Sequence, residues 1–268
     1  MKIQKQVPLT EGPILKSLTG LAVPIMISSF LGTLYNITDM AWIGLLGSKA
    51  VAAVGVGGMY VWLSQGLASL ARMGGQVHVA QCIGRGDRER AHGFAQAAVQ
   101  LAAFMGMAYA ILSLLFTRQM VGFFQLADAQ AHAAAMSYTR IACGLIVFSF
   151  MTLTLTGLYT AQGDSKTPFI ANLVGLATNM VLDPVLILGV GMFPKLGVVG
   201  AAIATVTAQA IVMSIMIVGI VIQKKENVLK ETRLLAKIPR EYLQGICKIG
   251  IPTAIQLSLI HISEPTRP

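Results

Sequence analysis

Charge is scarce in this chain. Asp, Glu, Lys and Arg make up 12% of its 268 residues, roughly half the share of an average soluble domain. Acids are the scarcer sign, with eleven Asp and Glu against twenty Lys and Arg. Cysteine occurs three times, as Cys82, Cys143 and Cys247. These share no ligand spacing and sit in or beside apolar runs, which speaks against both a metal site and a disulfide framework. The histidines His78, His92, His132 and His261 are scattered along the sequence. No grouping of nucleophile, base and acid stands out, so the chain does not read as an enzyme and no cofactor is implied. A cleavable leader is not expected either. "MKIQKQVPLTEGPILK" is polar and runs into a full-length apolar segment, which would itself serve as the insertion signal.

What the chain has instead is apolar length. Hydrophobic residues make up 55% of it, with 27 glycines and 14 methionines. Apolar runs cover 17–45, 50–80, 91–117, 134–161, 168–191 and 196–222, and another opens near 243. Each of the six is long enough to cross a bilayer as a helix. Their hydropathy is continuous, unlike the every-second-residue alternation of a membrane barrel. The expected fold is an all-α membrane protein, a six-transmembrane-helix bundle plus the start of a seventh helix, with the lipid bilayer as its first partner.

A net charge of +9 invites a nucleic-acid reading, but the charges are sorted by side. With the N-terminus placed inside, fifteen of the twenty Lys and Arg, Arg72 among them, fall on the inner side. Lys49, Arg118 and Lys195 fall outside, and Arg140 lies near the outer end of the fourth span. That bias reports topology, a multi-pass protein with a cytoplasmic N-terminus, and no nucleic-acid partner is expected.

Two inner loops, "GRGDRER" at 84–90 and "AQGDSKTP" at 161–168, offer Gly-Asp turn chemistry followed by a helix start. Residues 223–242 are charged and amphipathic, and Leu229, Leu234, Leu235 and Ile238 fit one face of a linker helix on the cytoplasmic surface. Beyond it the sequence begins again: "LKSLTGLAVP" from Leu15 is echoed by "LQGICKIGIP" from Leu243, and many transporters are two copies of one bundle. The expected layout is a cytoplasmic segment at 1–16, a six-helix lobe at 17–222, a linker at 223–242 and the start of a second lobe at 243–262. The last apolar run, "IGIPTAIQLSLIHI", is too short to span. The ending "LSLIHISEPTRP" resembles translated sequencing-adaptor read-through, so 258–268 are expected to be a non-native tail.

Nine of the eleven acids sit in loops, linker or tail, and only Asp39 and Asp183 fall within apolar spans. A carboxylate there costs roughly 2.5–3.5 kcal/mol on insertion scales and usually faces a bundle interior or a wet cavity. In the first span Ser28, Gly32, Tyr35, Asn36 and Asp39 fall at helical spacing, with Tyr35 one turn before Asp39. In the fifth span Asn172, Gly175, Asn179 and Asp183 make a similar stripe. Pro184 follows at once and lacks the N–H that would bond the Met180 carbonyl, so a kink is expected; Pro24 is the matching candidate in the first span. Freed carbonyl, carboxamide and carboxylate together form an oxygen-rich site for H⁺ or Na⁺. If the two carboxylates converge, they cannot comfortably both stay ionised, and the pair can carry a proton.

Five stretches in order, "LAVPIMISSFLGTLYNITDMAWIGLLGSKAVAAVG", "QVHVAQCIGRGDRERA", "LYTAQGDSKTPF", "NLVGLATNMVLDP" and "GVVGAAIATVTAQ", resemble the multidrug and toxic compound extrusion (MATE) family of cation-coupled antiporters, in the prokaryotic branch related to DNA-damage-inducible protein F. The resemblance covers residues 10–222 and the start of the second lobe. It implies the N-terminal lobe of a twelve-helix fold, with Asp39 and Asp183 as coupling carboxylates and Tyr35 and Asn179 as their hydrogen-bond partners. A threonine of the sixth helix joins them, Thr205 by preference and Thr207 as the alternative. It implies a bacterial or archaeal inner membrane and small organic, cationic or amphipathic substrates. The drug cavity lies between two lobes, so the missing C-terminal lobe is a required partner. Two rivals stay open: a lipid-linked oligosaccharide flippase of related architecture, which favours a cavity with several cationic residues, and a non-transporting membrane subunit. The aromatics Trp42, Trp62, Tyr60, Tyr109 and Phe148 are read as packing or interfacial residues, and the directions of Gln65, Gln209 and Gln256 are left open.

Overall fold

A computed structural model describes residues 14–190, 193–222, 227–230, 232 and 237–263. Among the described residues eight helices follow one another: α1 (Ile14–Gly44), α2 (Ser48–Gly84), α3 (Arg88–Phe123), α4 (Ala129–Gly144), α5 (Val147–Ala161), α6 (Lys166–Leu188), α7 (Val198–Ile222) and α8 (Arg240–Ser263). No strand occurs among the described residues. Helices α2, α3, α6 and α7 are each long and apolar enough to cross a membrane, and α4 with α5 pass together as one bent span. At 31 residues α1 also has the length to cross.

The fourth span departs from expectation. It starts earlier than residue 134 and is broken: α4 and α5 meet at a 44° bend. The physical cause lies at Gly144–Val147. Gly144, a weak helix former, faces Leu114 of α3 so closely that a Cβ there would sit 3.1 Å from Leu114 Cδ2. Past it the ladder tightens, with Ile146 N–H donating to Cys143 O and Phe148 N–H to Leu145 O. Three-residue turns replace the four-residue repeat and the axis swings. Hydropathy is blind to this, since the contact that marks the break comes from Leu114 on another helix.

The two Gly-Asp loops behave as expected, and alike. Gly86 and Gly163 take left-handed backbone, with φ of 76° and 80°. The next N–H, of Asp87 or Asp164, reaches back to Cys82 O or Tyr159 O at 2.9 and 3.0 Å, closing the preceding helix. The same aspartate opens the next one: Asp87 accepts from Arg90 N–H at 3.0 Å, and Asp164 from Lys166 N–H and Thr167 N–H at 3.1 and 3.0 Å. Asp164→Ala or Asp87→Ala is therefore expected to cost about 1 kcal/mol each, read as a lower thermal midpoint in detergent with the fold retained.

Small side chains let the helices approach. The buried stripe of α3 is Ala91, Ala95, Ala98, Ala102, Gly106, Ala110 and Ser113, the composition that membrane helices use for close packing. A Cβ on Gly75 of α2 would come within 2.5 Å of the Ala98 side chain. The outer surface is the reverse: Leu112, Leu115 and Phe116 of α3 and Val218, Val221 and Ile222 of α7 are exposed large hydrophobics, a belt suited to lipid.

The turns carrying Arg85, Arg88, Arg90 and Lys166 lie at one end of the bundle, called here the basic end. Of the expected amphipathic linker, Leu234 and Leu235 lie outside the described residues. Asn227–Lys230 are not helical but form turns, and Leu229 is buried. They are held by main-chain bonds: Val228 N–H donates to Gln162 Oε1 at 2.9 Å, and Val228 O meets His92 Nδ1 at 2.9 Å. Helix α8 then lies antiparallel along α2, Gly245 against His78, Gly74 against Ile246 and Gly250 against Leu70. It runs through Pro252 for 24 residues, longer than the apolar run suggested. At the opposite end Lys49 pairs with Asp128 at 2.5 Å, and that ion pair holds the Asp128 carboxyl below the usual carboxylate range.

Candidate functional site

Asp39 lies five residues from the end of α1 and Asp183 five residues from the end of α6. Helices α1 and α6 pack together, and the two carboxyl groups come within hydrogen-bond reach of each other. Asp183 is fully buried and Asn179 is 1% exposed. With its amide oriented by the surrounding donors and acceptors, Asn179 donates to Asp183 Oδ2 at 2.6 Å and accepts from Thr205 N–H at 3.2 Å. Asp39 Oδ1 is buried with no hydrogen-bond partner among the described residues.

This geometry limits the chemistry. An ionised carboxylate only accepts hydrogen bonds, so two carboxyl groups in contact need a proton between them or a cation bridging them. The unpartnered Asp39 oxygen and the side-chain oxygens of Asp183 and Asn179 are hard donors that suit H⁺ or Na⁺. Among the described residues no group of three or more His, Cys, Asp and Glu gathers to hold a metal.

The structure brings together Asp39, Asp183, Asn179 and Thr205, the last through its main-chain N–H. The side chains of Tyr35, Pro24 and Ser28 lie outside the described residues. Asn36 is exposed and so leaves the stripe. Pro184 sits inside α6, which continues through it to Leu188. The expected aromatic packing holds for two tyrosines tied to main chain: Tyr60 O–H donates to Met120 O at 2.8 Å and Tyr109 O–H to Tyr60 O at 2.7 Å.

A cavity of about 470 Å³ runs between α1, α2, α5, α6 and α7. Its walls carry Asn172, Asn179 and Thr205, and also Gln65, Arg72 and Gln209. Arg72, counted by sequence among the cations of the inner side, lies in no loop. It stands twelve residues before the end of α2, within the apolar span. An arginine inside the 50–80 run was the signal that could have found it.

Residues 24–185 match the family model MatE. The chain belongs to the MatE family. Among its relatives is a probable multidrug resistance protein, YoeA, of Bacillus subtilis, 28% identical over 253 residues, which cover 93% of this chain and 54% of that one. A probable multidrug resistance protein, NorM, of Thermotoga maritima is 30% identical over 251 residues, 93% of this chain and 53% of that one. A solved structure described as the outward-facing conformation of a multidrug resistance MATE family transporter superposes with a TM-score of 0.85 at 26% identity, covering 98% of this chain and 57% of that one. This MatE chain thus spans about half the length of the curated relatives it matches, and the half it spans is helical throughout its described spans.

Proposed function

We propose that this MatE chain is the first lobe of a cation-coupled antiporter that exports small organic, cationic or amphipathic compounds across a bacterial or archaeal cytoplasmic membrane. The basic end, with the N-terminus, faces the cytoplasm, which the sorting of Lys and Arg supports. A second lobe completes the substrate cavity. The observation that carries the reading is the contact between Asp39 and Asp183, braced by Asn179. H⁺ or Na⁺ entering this pair removes the repulsion between α1 and α6, and its departure restores it. A ligand shifts a conformational equilibrium only by its differential affinity for the two states; here the cation binds best where the carboxylates touch. The names of the relatives support multidrug export as the purpose.

The chain itself tests the pair. In lipid at neutral pH, infrared spectra are expected to show a protonated carboxyl stretch that Asp183→Asn removes. A wild-type chain that lacks this band in sodium-free buffer would overturn the shared-proton arrangement.

A further inference from the structure

Arg72 has no role in the carboxylate site, yet it is the half-buried cation of the lobe; among the described residues Arg118, Arg140 and Lys248 on the other spans are exposed. Its Nε is buried without a hydrogen-bond partner among the described residues. Its stem packs on α5 at Gly157, where a Cβ would stand 2.9 Å from Arg72 Cγ and 3.2 Å from Gln76 Oε1. Gly157 is one helical turn from Ala161, the end of α5 beside the Gln162–Ser165 turn. Arg72 therefore stands near the basic end of the cavity whose wall it forms.

The other end of the same cavity is Asn179, the residue that holds Asp183. Asn179 is thirteen residues into α6, about 20 Å from its start. Between the two levels the wall carries Asn172, Thr156 and Gln209. The lining is mostly apolar, but Gln65, Arg72, Asn172, Asn179 and Gln209 offer water its partners along the wall, with room for on the order of a dozen molecules at about 30 Å³ each. The cavity thus spans from Arg72, Ser165 and Pro168 toward the basic end to Asn179 beside the carboxylate pair, and a guanidinium, charged at every physiological pH, is part of its wall. Between mostly apolar walls a fixed positive charge raises the barrier to protons and metal cations alike.

We propose that Arg72 is an electrostatic stopper in a hydrated passage joining the Asp39–Asp183 pair to the basic end, keeping cations out of that end. This rests on the pair being the coupling site, and it adds the reason that cations do not leak past it in this conformation.

The test uses the whole chain in vesicles with Cys82, Cys143 and Cys247 replaced by alanine and Leu176→Cys as reporter. Leu176 lines the cavity between Arg72 and Asn179 and donates no side-chain hydrogen bond. Two water-soluble methanethiosulfonates of similar size are applied from the basic end, one carrying a sulfonate and one a trimethylammonium group, with rates normalised to a free thiol. The anionic reagent is expected to react at least tenfold faster than the cationic one. Arg72→Gln is expected to bring the ratio within twofold of unity, and Arg72→Lys to retain the preference. Failure of both reagents to reach the reporter thiol from that end, or a ratio indifferent to Arg72→Gln, overturns the proposal. Asp183→Asn should leave the ratio unchanged, so a failure of the coupling reading appears in the infrared band and not here.

Discussion

In a full-length transporter carrying this lobe, Asp39→Asn is expected to reduce cation-driven efflux to the background of cells lacking the protein. Asparagine keeps the size and most of the hydrogen-bonding capacity of aspartate but cannot gain or lose a proton or balance a cation. The substitution therefore removes titration while sparing packing. Asp183→Asn should have the same effect, and the double variant should be no worse than either single one, because groups that act as a unit do not add. Asp128→Asn is the control: that carboxyl is also ion-paired, with Lys49, but at the exposed end of the bundle, where such pairs contribute little. Efflux measured with a fluorescent cationic dye decides the matter. Normal dye export by Asp39→Asn at wild-type protein levels would sink the assignment.

The largest structural effect is expected at Gly200→Val. Gly200 opens α7 against the end of α6, and a Cβ there would stand 2.5 Å from Leu186 O, 2.6 Å from Leu186 C and 3.0 Å from Ile187 N. These are main-chain atoms, which cannot rotate aside. They are also pinned, because Leu196 N–H donates to Leu186 O at 3.0 Å and Gly197 N–H to Ile187 O at 3.2 Å. Overpacking typically costs about 1–3 kcal/mol and at times more, against a total stability of about 5–15 kcal/mol. Because the displaced turn follows Asp183 directly, the carboxylate pair should separate as well. Gly200→Val is thus expected to lose the monodisperse peak in detergent chromatography or to melt well below wild type. Gly55→Ala, at a helical glycine of α2 with nothing within 4 Å of the added carbon, should be neutral or gain up to about 1 kcal/mol. A Gly200→Val chain as stable as wild type would mean that α6 and α7 can part without cost.

Much of this was legible in the residues. The apolar runs became helices, five of them apolar enough to cross a membrane when α4 and α5 are taken as one bent span, and the two acids that stood alone in them came together. "GRGD" and "QGDS" each closed one helix and opened the next, because a left-handed glycine and a capping aspartate act locally and need no tertiary partner. What hydropathy could not convey was direction. The break at Gly144 depends on Leu114 from another helix, and the inward turn of Arg72 depends on the bare flank of Gly157. Asn36 shared the spacing of the Asp39 stripe yet is exposed, because it stands at the edge of a stripe about 100° wide. The described part of the linker, Asn227–Lys230, departs from a helix for a related reason. Its leucines fit a helical face, but the competing main-chain bonds of Val228 to Gln162 and His92 come from far along the chain.

Those bonds have a mechanical consequence. With Val228 fastened at the basic end and α8 laid beside α2 from the same end, α8 is mounted on α2 like an oar in a rowlock. Helix α2 has 37 residues, an arm of about 55 Å. Each degree of tilt about the fastened end then sweeps the far end by about 1 Å, so slight yielding among the glycines at the rowlock becomes a wide stroke at the blade.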